Sequence, residues 1–320
     1  MLKRELFPGG PEVSAVSISL SAPPTASLPL AALAQIAPES EAPTVSGEDD
    51  TRIVLDTAIN NGLSFIDSDW ITANGHAQEL LGRAVRNSGI LIASKVGPRL
   101  DFSGSLKFDN SRGNIINQVQ DSLFRLKRDN VDLLQVHWPD ETDPQQTARG
   151  LNDACHGGLA RHVGVCNFNI VQIDALMQHT TIRTSQVPMS ILNRTALNEM
   201  LPFCRENKIG FLVSDPLQSG LLQGQFSGDE QFTEADYDTL FQPETLPKAV
   251  KVVAELAEYA LTLGLTAAQL SVVWCLNQEG VSCVLCPATS DYVQLQQVSE
   301  VKLSAKDLQT IELITSSLYN

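Results

Sequence analysis
Three polar residues each close an apolar run. Asp67 follows Leu63-Ser64-Phe65-Ile66, Lys95 follows Ile90-Leu91-Ile92-Ala93-Ser94, and His137 follows Val131-Asp132-Leu133-Leu134-Gln135-Val136. If the runs are parallel barrel strands, their C-terminal ends open on one face, where a polar residue reads as chemistry rather than stability. An acid, an ammonium and an imidazole brought together suit a carbonyl reaction. Hydride delivery to a ketone or aldehyde builds negative charge on oxygen. A proton donor must neutralise that charge, and cationic or hydrogen-bonding groups must hold it. A buried Lys beside a carboxylate stays charged and can lower the pKa of a neighbouring donor. A His can hydrogen-bond the oxygen and orient the substrate. The structural alternative is a buried Asp–Lys ion pair beside a capped His. The chemical alternative is a lyase or isomerase using Lys95 and His137.

Bringing these residues together requires alternating strands and helices. Residues 3–6 and 12–19 read as strands around Phe7-Pro8-Gly9-Gly10-Pro11, strong turn chemistry for an N-terminal β-hairpin. Residues 20–50 are rich in Ala, Pro and Ser and read as a long loop, with at most one weak helical turn at 28–36. Glu48-Asp49-Asp50 suits the positive end of a helix, and Gly62 suits its far end. Strands are then expected at 63–66, 90–94, 131–136, 162–166, 184–188, 210–214 and 281–285. Helices are expected at 76–86, 114–126, 144–155, 169–178, 196–207, 247–263, 266–277 and 304–318. A Gly- and Asp-bearing loop follows 90–94, and a long loop runs from 215 to about 245.

With 13–19 counted, there are eight strands. They are apolar on both faces, as parallel strands covered by helices must be. The expected fold class is α/β, a (β/α)8 TIM barrel with an N-terminal β-hairpin, spanning 1–320 as one domain. A doubly wound sheet is the alternative, but no strand is followed by Gly-x-Gly-x-x-Gly. Nor does the sequence contain a P-loop, a His-Glu-x-x-His or an internal repeat.

Hydrophobic residues make up 43% of the chain, charged residues 18%, and the formal net charge is −15. Such acidity opposes non-specific nucleic-acid binding and association with anionic membranes. No secretory leader is read at Met1-Leu2-Lys3-Arg4-Glu5, and no apolar run has the length of a membrane span. The expected location is cytoplasmic. The six cysteines are irregularly spaced and read as reduced thiols. Cys283-x-x-Cys286 has the spacing of a redox or metal pair, but it lies in an apolar run with no second pair and no nearby His. It reads as buried strand, and no metal site is expected.

Longer motifs occur in a telling order. Gly10-Pro11-Glu12-Val13-Ser14-Ala15 precedes Asn61-Gly62-Leu63-Ser64-Phe65-Ile66-Asp67 and Gly75-His76-Ala77-Gln78-Glu79-Leu80-Leu81-Gly82-Arg83-Ala84. Ala93-Ser94-Lys95, Gln135-Val136-His137-Trp138-Pro139, Val163-Gly164-Val165-Cys166-Asn167-Phe168, Gln186-Val187 and Pro216-Leu217-Gln218-Ser219-Gly220 follow. Over essentially the whole chain this resembles the aldo-keto reductase family, in the branch of bacterial aldo-keto reductases and potassium-channel β-subunits. The resemblance implies a TIM barrel that binds NADP(H) in extended form and acts on a small carbonyl or alcohol with an Asp, Tyr, Lys and His tetrad.

Asp67, Lys95 and His137 match three members of that tetrad. The Tyr position, five residues after the Asp, holds Thr72. An aliphatic hydroxyl is a far weaker acid than tyrosine, with its pKa near 10, and losing a general acid removes about 10²–10⁴ in rate. Water in the vacated space or His137 could substitute in part.

Among the family's cofactor positions, Asn167 and Gln186 match those that hold the nicotinamide carboxamide, and Pro216, Leu217 and Gly220 match the segment after the seventh strand. Ser214 replaces the ring that stacks on nicotinamide, and Asp215 sets a carboxylate where the pyrophosphate lies. The family's glycine-rich segment after the first strand is replaced by Ser17-Ile18-Ser19-Leu20-Ser21, and 287–301 contain no Lys or Arg. The expectation is an oxidoreductase of altered or impaired catalysis that binds NADP(H) weakly. A non-catalytic regulatory or ligand-binding barrel is the alternative. Asp69 and Trp70 are expected over the pocket mouth, Trp138 in its wall or the core, and 221–245 as a lid. Oligomeric state is not legible.

Overall fold
A hairpin of β1 (Lys3–Glu5) and β2 (Glu12–Ser14) leads into β3 (Val16–Ser19), the first barrel strand. Then come β4 (Phe65–Asp67), β5 (Leu91–Val96), the antiparallel pair β6 (Pro98–Leu100) and β7 (Leu106–Phe108), β8 (Val131–Val136), β9 (Ala160–Cys166), β10 (Thr184–Pro188), β11 (Gly210–Ser214) and β12 (Val281–Pro287). In this computed structural model, which describes residues 1–21, 48–86, 88–101, 105–230, 239–289 and 291–319, eight strands close a barrel. Its order is β3-β4-β5-β8-β9-β10-β11-β12, and β12 pairs back onto β3. Every neighbouring pair is parallel, so the closed barrel holds and the open doubly wound sheet does not.

The expected loop at 20–50 lies outside the described residues from 22 to 47, as does the suggested helical turn at 28–36. The expected lid is described only to residue 230 and again from 239.

Two apolar layers build the core. Outward strand residues such as Ile66, Ile92, Leu134 and Val284 pack under the helices with Leu81, Val119, Leu151 and Leu256. A smaller cluster fills the barrel interior: Phe65, Ala93, Leu133, Leu212, Cys283 and Leu285, capped from the hairpin by Leu6, Phe7 and Val13. The hairpin presses so closely on β11 that a Cβ at Gly210 would come within 1.8 Å of the Leu6 carbonyl oxygen. Cys283 faces the interior cluster and Cys286 the outer one. Strand alternation therefore points the two thiols to opposite faces, and all six cysteines are free.

Several helices begin on side chains that satisfy their first amides. Asn169 with Gln172, Thr266 with Gln269 and Ser304 with Asp307 form capping boxes. Among the described residues, no single helix is long and apolar enough to cross a membrane. The bent pair Leu246–Thr262 and Ala267–Asn277 passes together only across an 81° break, and both helices contribute buried residues to the core.

The structure refines several expectations. The 12–19 strand divides at Ala15, whose amide bonds to Leu2 while Ser14 exchanges bonds with Ser64; the chain turns there from hairpin to barrel. The loop after β5 carries the β6–β7 pair, too short and polar to stand out by alternation. The helix expected at 196–207 is a 3-10 turn at Thr195–Leu197 followed by helix Met200–Glu206. A helix at Tyr292–Gln297 was missed: six residues are too few to show a period. His162 lies on β9 with its ring edge-on to Phe7.

Candidate active site
Strand alternation switches from apolar to polar at the same height around the barrel. Two residues beyond Phe65 comes Asp67; beyond Ala93, Lys95; beyond Leu133, Gln135 and then His137. Register sets the neighbours: Ser19 lies opposite Asp67, Asp67 opposite Ala93, and Gln186 opposite Cys166. All three residues singled out in the sequence are buried, Asp67 at 0%, Lys95 at 1% and His137 at 5% exposure.

Asp67 and Lys95 form a direct ion pair, Nζ on Oδ1. The other carboxylate oxygen accepts from Ser19 Oγ at 2.9 Å, Ser21 Oγ at 3.3 Å and Gln186 Nε2 at 3.4 Å. Lys95 Nζ also donates to Ser21 Oγ at 2.8 Å. Burial pulls the Lys95 ammonium down, but attraction to Asp67, with Cys166 and Asp69 beyond it, holds its pKa above the ordinary value. At neutral pH Lys95 is therefore a cation.

His137 is held to β5 through its amide, which donates to the Val96 carbonyl at 2.9 Å. Its carbonyl accepts from Asn167 Nδ2 at 3.0 Å. Its ring stacks on Trp138 at 3.6 Å between centroids, and Trp138 in turn meets Phe108 edge-on, so β7 helps fix the imidazole. Burial, and then the charge of Lys95, depress the His137 pKa well below the usual range, so the ring is neutral. Its Nδ1 is buried and has no partner within the protein.

Thr72 is 3% exposed and its amide donates to Asp69 Oδ1 at 2.8 Å. Asp69, expected over the mouth, is itself buried at 1% exposure. Burial raises its pKa, while Lys95 and the bonds from Thr72 pull it back in part. Trp70 bonds through Nε1 to the Pro98 carbonyl at 3.1 Å, tying this loop to β6.

Beside the ion pair opens a cavity of about 900 Å³, open solvent at its mouth included. His137, Asn167, Gln186, Pro216, Leu217 and Gly220 line it, so the cofactor positions named from sequence converge. So do Ser214 and Asp215. Ser214 Oγ and Thr289 Oγ1 are buried in the wall without a protein partner. Asp215 accepts from the amide and the hydroxyl of Ser219 at 2.6 and 3.1 Å.

Among the described lining residues there is no Lys or Arg. Asp67 and Lys95 sit behind Ser19 and Ser21, which line the cavity themselves. These two serines were noted in sequence only as a lost glycine segment. Their spacing on β3 and just beyond it, residues 19 and 21, was the available signal for one polar face.

Such an arrangement can hold an oxygen of developing negative charge. A fixed cation lies one hydroxyl away, a neutral imidazole stands in the wall, and the mouth is lined by hydroxyls and amides.

Comparison with known proteins bears on the family and the fold. The profile of the Aldo/keto reductase family matches residues 37–315. The aldo-keto reductase YhdN of Bacillus subtilis (strain 168) is 30% identical over 287 residues, 85% of this chain and 86% of that protein. A probable voltage-gated potassium channel β subunit of Arabidopsis thaliana is 28% identical over 83% of this chain and 84% of its own length. Among solved structures, the glycerol dehydrogenase of Gluconobacter oxydans superposes with a TM-score of 0.82 at 25% identity, covering 98% of this chain and 95% of its own. The fold of an aldo/keto reductase from Klebsiella pneumoniae, solved with NADP and acetate, matches at a TM-score of 0.73 and 21% identity over 98% and 96%.

Proposed function
Because this chain belongs to the aldo/keto reductase family, we propose that it interconverts a small carbonyl and its alcohol, with a weakly held nicotinamide nucleotide and a slowed proton transfer. The observation that carries this reading is the buried Asp67–Lys95 pair meeting neutral His137 beside the cavity. Family relatives include a structure solved with NADP, and NADP(H) is the cofactor the family resemblance implies.

The residues fit that cofactor at one end. Asn167, Gln186 and the unpartnered Ser214 hydroxyl suit a carboxamide, which both donates and accepts hydrogen bonds. Pro216, Leu217 and Gly220 would wall the groove. The phosphate end is poorly served: Asp215 opposes anions and the described lining holds no cation. When bound, the nicotinamide supplies the hydride.

His137 orients the carbonyl oxygen by donating one N–H, and its low pKa keeps it neutral while it does so. Lys95, kept charged by Asp67, supplies positive potential toward the developing oxyanion. Thr72 contributes no acidic hydroxyl comparable to the family's Tyr, which supports slow turnover.

Titrating NADPH and NADH against intrinsic tryptophan fluorescence, followed by assays with glycerol and glyceraldehyde, tests the reading. Glycerol enters because the Gluconobacter relative is a glycerol dehydrogenase. We expect saturable but weak binding and slow turnover. No binding at millimolar cofactor would remove the oxidoreductase reading in favour of a non-catalytic barrel. Tight binding would remove the proposed weakness of the groove.

A further inference from the structure
We propose that the hydroxyl of Ser21 delivers the proton to the substrate oxygen, resupplied by the Lys95 ammonium behind it; this rests on the oxidoreductase reading above. Three groups could fill the place of the missing Tyr. Thr72 is buried, its amide is tied to Asp69, and it is not among the described residues lining the cavity. His137 lines the cavity, but burial and Lys95 keep it neutral. A neutral imidazole can donate a hydrogen bond, yet it has no second proton to surrender near neutral pH. Among the described residues, Ser21 alone both lines the cavity and touches the buried cation, with Lys95 Nζ donating to its oxygen at 2.8 Å.

The surrounding bonds hold Ser21 in place and leave its proton free to move. Its amide donates to Ser19 Oγ at 3.2 Å, which fixes the turn beyond β3. Its hydroxyl proton points toward Asp67 Oδ2 over a long 3.3 Å. That oxygen keeps Ser19 Oγ at 2.9 Å and Gln186 Nε2 at 3.4 Å if the Ser21 proton swings to a ligand. Hydroxyl protons rotate readily. An adjacent ammonium stabilises the alkoxide character that Ser21 gains in transfer.

The step balances as follows. The carbonyl carbon gains a hydride from the reduced nicotinamide, and the C=O electron pair moves to oxygen. That oxygen takes the Ser21 hydroxyl proton while Ser21 Oγ takes one from Lys95 Nζ. The carbonyl is reduced, the nicotinamide is oxidised, and neutral Lys95 regains its proton from solvent. In the reverse direction Lys95 first yields a proton to solvent, and the neutral amine then takes the Ser21 proton as Ser21 Oγ takes the alcohol proton.

Two measurements test the relay. In the first, steady-state kinetics compare the parent chain with Ser21→Ala and Ser21→Thr. We expect Ser21→Ala to lower kcat about 100-fold, the lower end of general-acid effects, with KM little changed, and Ser21→Thr to restore most of it. In the second, Ser21→Cys is alkylated with iodoacetamide across pH in cofactor-free protein. A thiol against the Lys95 ammonium should titrate at least one unit below the ordinary value of about 8.5. The parent chain supplies the background, since its own thiols are buried or half-buried.

A parent that turns over no faster than Ser21→Ala overturns the relay and leaves the oxidoreductase reading standing. An ordinary or raised thiol pKa at position 21 overturns the relay without reference to activity. A parent with no cofactor-dependent turnover overturns the oxidoreductase reading and the relay together.

Discussion
Asp67 and Lys95 are each tolerable in the interior only because of the other. A lone buried charge costs several kcal/mol, and removing one member of such a pair typically costs about 3–5 kcal/mol. Lys95→Met should therefore destabilise the fold by that order, and Asp67→Asn combined with Lys95→Met should recover most of the loss; urea unfolding of the three chains measures both. His137 adds a pH dependence. Its folded pKa lies well below the ordinary 6.5, so the unfolded chain binds the extra proton first as pH falls. Its contribution to stability is complete above 6.5 and declines below it, with a slope of up to about 1.4 kcal/mol per pH unit. His137→Asn should flatten that slope in urea melts taken between pH 7 and pH 5.

At the scale of elements, the N-terminal hairpin closes the barrel floor and β6–β7 supports the rim. Leu6 is fully buried in the interior cluster. Leu6→Ala should cost about 2–5 kcal/mol, as truncation of a packed core side chain does, read as a lower urea midpoint at unchanged slope. The β6–β7 pair acts at the other end. Phe108 holds Trp138, and Trp138 holds the His137 ring. Phe108→Ala should leave overall stability nearly unchanged yet weaken the proposed carbonyl turnover, because the ring it steadies belongs to the proposed site.

Across the whole molecule the charge is −15, and its placement bears on the ligand. No Lys or Arg occurs in 209–247 or in 287–301, the stretches that include the cavity wall from Ser214 to Gln225 and from Pro287 to Thr289. A phosphorylated nucleotide should therefore meet repulsion. Raising ionic strength from about 0.01 to 0.15 M shortens the screening length from about 30 to 8 Å. NADPH binding should tighten over that range, opposite to a groove lined with Arg and Lys. Asp215→Asn should also tighten it, by at least about fivefold, for the ~1 kcal/mol that a like-charge contact costs even through bulk water. Asn suits the site because residue 215 has a φ of 48°, which Asn tolerates. Fluorescence titrations at two salt concentrations read both effects.

The sequence by itself determined the alternation of strands and helices, and with it the eight-stranded barrel and the three polar residues at strand ends. Those features are local: apolar runs, turn chemistry and caps are written within a few residues. Asp67, Lys95, His137, Asn167 and Gln186 could be named from sequence because each falls at a strand end within a recognisable motif. Short elements were not legible, since Pro98–Leu100, Leu106–Phe108 and Tyr292–Gln297 are stabilised by neighbours rather than by a period of their own. Only the tertiary structure decided what lies between the ion pair and the cavity. The closure of β12 onto β3 and the register of Ser19 with Asp67 bring Ser21 to Lys95 across 74 residues of chain. No local pattern encodes that contact, because it depends on how the whole barrel closes.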